Sequence, residues 1–243
     1  MVDLHCHYLP AVDDGARTLE EALELARAAV ADGIETAVLT PHIHPGRYQN
    51  TLSTLKTEIA LFRAALVEEQ IPLKTLLGGE VRLMTDSLRL LDAGELPIIG
   101  THHGKLVVLL EFPHDHLPVG ALSAVRHLRK RGVGALIAHP ERNRDIMRDW
   151  RKLEPFISDQ GALAQVTAGS LCGEFGKVAR DVALRLVAER LVRVVASDAH
   201  NLAHRPPLMR EARAVLVEQF GEKVAERLTR TNPTRIVEGN FNG

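Results

Sequence analysis

The sequence predicts an α/β barrel, and three observations carry the prediction. The chain has 243 residues and is 45% hydrophobic, about the length one such barrel uses and enough for one large core. Short apolar, β-branched runs alternate with helix-period segments from end to end, the signature of parallel strands joined by crossover helices. Six of the seven runs also end in a side chain able to hold a metal, and in a parallel barrel all such ends share one face. No repeat, low-complexity tract or Pro/Gly-rich linker divides the chain, so residues 1–243 are expected to form one domain.

The first predicted strand, 2–5, lies in Asp3-Leu4-His5-Cys6-His7. Strand side chains alternate, so His5 and His7 point one way and Cys6 the other. Next comes the polar turn Pro10-Ala11-Val12-Asp13-Asp14-Gly15. One of its carboxylates can serve the turn, with Gly15 at a positive φ, which leaves the other as a ligand. The first helix is marked by Thr18 and Glu21 as a capping box and by a stripe of Leu19, Ala22, Leu23, Ala26 and Val30. Gly33 ends it.

Strand two, 35–40, runs into Thr40-Pro41-His42, with His44 read as a loop residue and Arg47 close behind. A second helix, 51–69, turns Leu52, Leu55, Ile59, Phe62 and Leu66 inward. Strand three, 74–78, leads to Gly79-Glu80, and strand four, 106–110, to Glu111-Phe112. Strand five, 134–138, leads to His139-Pro140-Glu141-Arg142. Strand six, 163–166, carries no such group, and strand seven, 193–196, leads to Ser197-Asp198-Ala199-His200. The tail, 232–243, is expected on the surface, as are Lys130-Arg131 and the Arg205-Pro206-Pro207 turn.

A buried carboxylate or imidazole without a partner is costly, so Glu80 and Glu111 after apolar strands need a cation or an ion pair. Imidazole and carboxylate donors without thiolate favour Mn²⁺, Fe²⁺ or Zn²⁺. About nine ligands exceed what one ion can hold, whereas two or three ions sharing a bridging carboxylate suit in-line displacement at phosphorus. Arg142 and Arg47 stand beside these ligands, and a guanidinium binds phosphate through a fork of donors.

Charge and cysteine content exclude other classes. Lys plus Arg (30) nearly balance Asp plus Glu (31), giving a net charge of −1, so no overall field draws nucleic acid or an anionic membrane. No apolar run approaches the roughly 18 residues of a membrane span. Two cysteines and the absence of a leader after Met1 predict a cytoplasmic protein. Neither Cys6 nor Cys172 has an arginine six positions later, Val12 and Val178 standing there instead, which excludes the Cys-x₅-Arg signature of thiol phosphatases.

Together, Asp3-x-His5-x-His7, Pro41-His42, Glu80, Glu111, His139-Pro140-Glu141-Arg142 and Ser197-Asp198-x-His200 resemble the polymerase-and-histidinol-phosphatase (PHP) superfamily of trinuclear metal hydrolases. Within it, His5 to Pro10, Asp13-Asp14-Gly15 and His42 with Gly46-Arg47-Tyr48-Gln49-Asn50 are similar to the bacterial manganese-dependent protein-tyrosine phosphatases of the CpsB/YwqE (CapC) type. The resemblance implies a distorted seven-stranded (β/α)₇ TIM-like barrel with its metal site at the carboxyl ends of the strands. It implies one metal on His5, His7, Glu80 and Asp198, with Glu80 bridging to a second on Glu111 and His139. Asp14, His42 and His200 would hold a third.

Mn²⁺ is the implied ion, with Fe²⁺ or Zn²⁺ as alternatives, and the implied reaction is attack of a metal-bound hydroxide on phosphotyrosine, with Arg142 and Arg47 as catalytic arginines. The implied partner is a bacterial tyrosine autokinase controlling capsule or exopolysaccharide synthesis, and an oligomer is left open. Two departures stand out: Ala11 replaces a usual glycine, and Asn143 follows Arg142 where an aromatic is common. The rival readings are a histidinol-phosphate phosphatase or other small-molecule phosphoesterase, a PHP nuclease, and a noncatalytic metal-binding regulatory module.

Overall fold

A computed structural model describes residues 1–239. Among them are ten strands: β1 (Val2–Cys6), β2 (Thr36–Leu39), β3 (His42–Ile43), β4 (Lys74–Leu77), β5 (Glu80–Arg82), β6 (Gly100–His102), β7 (Lys105–Glu111), β8 (Val133–Ala138), β9 (Leu163–Thr167) and β10 (Val194–Ala196). The seven expected strands are β1, β2, β4, β7, β8, β9 and β10, each with ends within one residue of the sequence reading. The short β3, β5 and β6 were not expected. The helices are α1 (Leu19–Ala31), α2 (Leu52–Glu68), α3 (Thr85–Asp92), α4 (Ala121–Lys130), α5 (Arg144–Arg148), α6 (Glu154–Ser158), α7 (Ala168–Cys172), α8 (Gly176–Ala188), α9 (Met209–Phe220), α10 (Glu222–Glu226) and α11 (Asn232–Val237). None is long and apolar enough to cross a membrane.

The α/β class and the parallel pairing are observed, but the ladder divides in two. One sheet runs β1-β2-β4, and the other runs β10-β9-β8-β7-β5-β3, with β6 antiparallel on β7. The division falls at Gly78-Gly79, because the run 74–82 pairs with β2 before that point and with β7 after it. A Cβ on Gly78 would lie 2.8 Å from Val38 Cγ1, and one on Gly79 would lie 2.8 Å from Ile43 Cγ1. Only glycine lets the strand cross there, and the crossing delivers Glu80 to the mouth of the second sheet. At the other margin, His7 N–H donates to Ala199 O (2.9 Å) and Asp198 N–H to His5 O (2.7 Å). The buried Asp3 carboxylate reinforces that seam by accepting the Ser197 N–H (2.9 Å) and hydroxyl (2.5 Å).

Period-2 alternation sorts the strand residues into two apolar layers. Val107, Leu109, Leu136, Leu163, Val194 and Ala196 share an inner cluster, while Val108, Leu110, Ile137, Ala164 and Val195 pack outward beneath the helices. Continuing the inner register by two residues gives Glu111, Gln165 and Asp198, so the interior changes from apolar to ionisable at the carboxyl ends. In β1 the pairing slips between Asp3 and Cys6. Cys6 still turns into the outer layer, where its thiol donates to Val38 O.

Three local expectations are corrected. In α1, Thr18 Oγ1 accepts the Glu21 N–H, but the Glu21 carboxylate accepts from Arg17 N–H (2.8 Å) rather than from the cap residue, and Leu19 is exposed. Gly15 does not take a positive φ; Ala11 does, at 59°. Gly15 is required for a different reason, because its Cβ would sit 2.1 Å from His7 O. The tail is not all surface: Asn232, Pro233 and Ile236 of α11 are buried, and Ile236 joins the inner cluster with Val2, Leu4 and Ile99. Ile236 thus closes the amino end of the core, while 240–243 of the tail reading lie outside the described residues.

Candidate metal centre

The loops leaving the carboxyl ends bring the nine expected ligands into overlapping groups. His5, His7, Glu80 and Asp198 form one, and His7, Asp14, His42 and His200 another. Glu111 and His139 form a third with His114, while His42 also reaches Glu80 and Glu111. His114 was not foreseen. It stacks on His139 with ring centroids 5.2 Å apart and places Nδ1 3.9 Å from Glu111 Oε1.

The first group meets a geometric test for a cation. His5 Nε2 and His7 Nε2 are 3.2 Å apart. They lie 3.3 and 3.5 Å from Glu80 Oε2, and 3.2 and 3.4 Å from Asp198 Oδ1. Four donors at about 2.0–2.1 Å from one tetrahedral ion stand about 3.3 Å from each other. Tautomers point the same way, since His5 Nδ1 faces Gln165 Oε1 (3.0 Å) and His7 Nδ1 faces Asp13 Oδ2 (2.7 Å). Those acceptors call for protons on both Nδ1 atoms, which leaves two Nε2 lone pairs confronting each other and two carboxylate oxygens. Glu80 Oε2, Asp198 Oδ1 and His200 Nε2 are buried with no hydrogen-bond partner among the described residues. A divalent ion satisfies this donor set, whereas ion pairing alone leaves it incomplete.

Neighbouring groups fix the donors. Asp13 is both the turn residue and an orienting residue, accepting from Gly15 N–H (2.9 Å) and His42 N–H (2.9 Å) besides its contact with His7. Asp14 instead faces His42 Nε2 (3.2 Å) and His200 Nε2 (3.6 Å). His200 Nδ1 is turned to Asp198 O (2.9 Å). His42 Nδ1 and His139 Nε2 approach Glu80 at 2.9 and 2.8 Å. Glu141, between His139 and Arg142, does not face the centre; it accepts from Thr167 N–H (3.0 Å) and Ser170 Oγ (2.7 Å) and braces the loop. His139 and Asp198 both hold left-handed φ values, 31° and 52°, strain of the kind that concentrates at functional sites.

Protonation follows from burial and the local field. Burial and then the Arg142 charge lower His139 to about 3, and burial and His7 lower His200 to about 4, so both are neutral donors at pH 7. Burial pushes Glu80 up, but His5 and His42 outweigh it and hold the carboxylate well below its usual range. Burial, followed by the charge of Glu80, raises Glu111 to about 7. Two carboxylates crowded in this way are the situation a bridging cation relieves.

Beside these groups opens a cavity of about 210 Å³ into which Arg47, Arg82, Arg142 and Arg205 project. Arg142 and Arg205 each reach Asp198 Oδ2 at 2.5 Å, Arg82 lies 3.1 Å from Glu111, and Arg142 also rests over the Phe175 ring. Arg205 is therefore not solvated surface; the Asn201–Arg205 bridge folds it back onto the site. Arg47 stands at the exposed rim over Tyr48, whose ring stacks on His42, and His44 lines the same rim. Asn143 caps α5 and ties down Pro113 O and His116 O, which gives it a structural duty in place of an aromatic lip. A larger groove, about 670 Å³, adjoins through Asp14 and His200, but it lacks the convergent donors.

Known proteins resemble this chain over nearly its whole length. The family described as capsular polysaccharide synthesis, CpsB/CapC, matches residues 1–238. Tyrosine-protein phosphatase YwqE of Bacillus subtilis is 40% identical over 229 residues, 94% of this chain and 89% of that protein. The putative tyrosine-protein phosphatase CapC of Staphylococcus aureus is 32% identical over 211 residues, 87% and 81% of the two chains. A crystal structure from work on YwqE and on CpsB of Streptococcus pneumoniae, described as unique metal-dependent tyrosine phosphatases, superposes with a TM-score of 0.90 at 37% identity, over 99% of this chain and 96% of that one. The lactonase Lmo2620 of Listeria monocytogenes shares the fold alone, with a TM-score of 0.63 at 14% identity over 97% and 94% of the chains.

Proposed function

The chain belongs to the CpsB/CapC family, and from that premise we propose that it is a metal-dependent protein-tyrosine phosphatase. The observation that carries the reading is the convergence of His5, His7, Glu80 and Asp198 at tetrahedral spacing beside an arginine-lined cavity. We read the two sheets, joined through Gly78-Gly79 and the His7–Ala199 seam, as one distorted seven-stranded (β/α)₇ barrel whose single domain exists to gather these groups. Asp14, His42 and His200, with Glu111 and His139, complete the proposed ligand set, and His114 is within reach of the last pair.

These residues would hold two or three divalent ions, Mn²⁺ being the ion the family resemblance implies, which would supply positive charge and an activated water for displacement at phosphorus. The chain's own contribution is to orient the donors, through Gln165 on His5, Asp13 on His7 and the Asp198 carbonyl on His200, and to aim guanidinium groups at the phosphoryl oxygens. Arg142 and Arg205 enter from the Asp198 side, and Arg47 from the rim. A tyrosine leaving group, with a pKa of about 10, departs with less protonic help than an alkyl alcohol. A thiol route is disfavoured, because burial holds the Cys6 thiol well above its usual range and raises Cys172 to about 12.

The nearest rival, a histidinol-phosphate phosphatase, requires a carboxylate for the substrate ammonium. Every carboxylate lining the cavity, Asp14, Glu80, Glu111 and Asp198, is already a proposed ligand, and the remaining charges are guanidinium. A tyrosine autokinase that governs capsule or exopolysaccharide assembly fits as the phosphoprotein partner. Turnover of a phosphotyrosine peptide and of histidinol phosphate, each with and without Mn²⁺, tests the proposal. A Mn²⁺-dependent preference for the peptide is expected, and a preference for histidinol phosphate would overturn it.

A further inference from the structure

At the opposite, amino end of the strands lies a second cavity, of about 240 Å³, framed by the β6–β7 turn, the start of β10 and α11. Its lining includes Thr101, His102, His103, Arg193 and Arg235 and contains no carboxylate. Its fixed charges are the two guanidiniums, and because the chain as a whole carries −1, they are not the overflow of a basic protein. Among the described residues no carboxylate pairs with Arg193 or Arg235. By contrast, Arg131 pairs with Asp92, Arg213 with Glu222 and Arg230 with Glu35. The two imidazoles are crowded, with centroids 4.1 Å apart. Burial, then the His103 and Arg193 charges, lower the affinity of His102 for a proton.

The backbone gives an independent observation. His102 pairs with Lys105, and the two residues between them, His103 and Gly104, both have positive φ, 49° and 74°. Such a turn ordinarily takes Asn, Asp or Gly first, and here it places the His103 ring at the cavity mouth. The frame is fixed: Asn232 Nδ2 donates to Arg193 O (2.8 Å). Gly100 approaches Ile236 so closely that a Cβ would lie 1.9 Å from its carbonyl oxygen.

We propose that this cavity is an oxyanion site that takes a phosphate group, either free in solution or as a phospholipid headgroup. Its guanidinium and imidazole donors are the chemistry that recognises a tetrahedral anion, and the site is separate from the metal centre.

Inorganic phosphate is titrated into the metal-free chain carrying Arg142→Ala and Arg205→Ala, which weaken anion binding at the catalytic cavity, while the His102 and His103 ring signals are followed by NMR. The free-phosphate arm predicts saturable movement of both signals. Arg193→Gln and Arg235→Gln each weaken it by about tenfold, and His103→Asn, which the turn accepts, weakens it by less. In the lipid arm the chain is sedimented with phosphatidylglycerol or phosphatidylcholine vesicles; pull-down by the anionic vesicles alone, lost in Arg235→Gln, identifies a headgroup as the source. Arg235 is exposed, so its variant keeps the fold and an unchanged phosphopeptide turnover. Absence of binding in both arms overturns the proposal, and so does binding that survives Arg193→Gln combined with Arg235→Gln.

Discussion

The Met1 cluster at the amino end of the strands and the candidate metal centre at their carboxyl end handle charge in opposite ways. At the amino end the Met1 ammonium donates to Gly33 O (2.6 Å) and lies 3.3 Å from Glu35, whose carboxylate also takes Arg230 at 2.7 Å. Glu35 is 63% exposed, so water screens the Glu35–Arg230 pair, and the more buried Met1 ammonium keeps the Gly33 carbonyl, so the set is complete as it stands. At the carboxyl end the Glu80 and Asp198 side chains are 1% exposed, and each keeps an oxygen without a hydrogen-bond partner among the described residues. A buried charge without full compensation costs several kcal/mol. Incompleteness inside the protein marks function, whereas a larger count of ion pairs in water marks only a surface.

The sharpest way to break that contrast is Glu80→Gln, which keeps the shape and removes the charge that His5, His42 and His139 surround. Turnover of a phosphotyrosine peptide is expected to fall by about a thousandfold or more, since groups that act as a unit fail together, and bound metal measured by elemental analysis should fall with it. Chelation of the unmodified protein should lower its thermal midpoint, because an ion at about a hundred times its Kd contributes about 2.7 kcal/mol. A Gln variant with full metal content and full turnover would sink the ligand assignment.

Arg142→Ala comes next. Its guanidinium touches Asp198 Oδ2 and borders the cavity but is not a ligand. A drop of about a hundredfold to a thousandfold in kcat, the scale for removing one donor from a developing oxyanion, is expected with metal content nearly intact. Equal losses in both would make Arg142 a prop for Asp198 instead.

Much of this site was legible in the sequence, for a physical reason. Apolar runs mark where strands stop, and a parallel sheet converts strand ends into neighbours, so Glu80, Glu111, His139 and Asp198 could be placed together. What escaped lies off that rule. Gln165 sits inside β9, one residue before the end of the predicted strand 163–166, although its spacing of two from Leu163 gives the inward register. Arg82 lies on β5, a strand too short to leave a periodic signal. His114 and Arg205 belong to loops whose course depends on tertiary contacts, through Asn143 and the Asn201 bridge. The division of the sheet at Gly78-Gly79 was equally hidden, because a glycine pair does not say whether it permits a turn or a close approach.

The left-handed Ala11 gives a smaller effect and a stabilising one. An alanine at φ 59° carries about 1–2 kcal/mol of strain that glycine lacks, while glycine costs roughly 0.5–1 kcal/mol in chain entropy. Ala11→Gly should therefore raise stability by up to about 1.5 kcal/mol, read from denaturant midpoints with metal held constant. Loss of stability would mean that the turn carrying Asp13 and Asp14 is not strained where the backbone angle places the strain.

The smallest effect is expected at the amino end, and it tests the other half of the contrast. Glu35→Ala removes the acid shared by Met1 and Arg230, yet the ammonium keeps Gly33 O and Arg230 keeps Glu226 at 3.5 Å. Exposed pairs contribute about 0.2–1 kcal/mol, and with both cations retaining a partner the loss should fall at the low end of that range. Salt should reduce it further, since exposed charges are screened over about 8–10 Å at moderate ionic strength. If thermal melts of Glu35→Ala instead match the drop caused by chelating the metal, the Met1 cluster is not self-sufficient. Burial with incomplete pairing would then no longer distinguish the metal centre from the Met1 cluster.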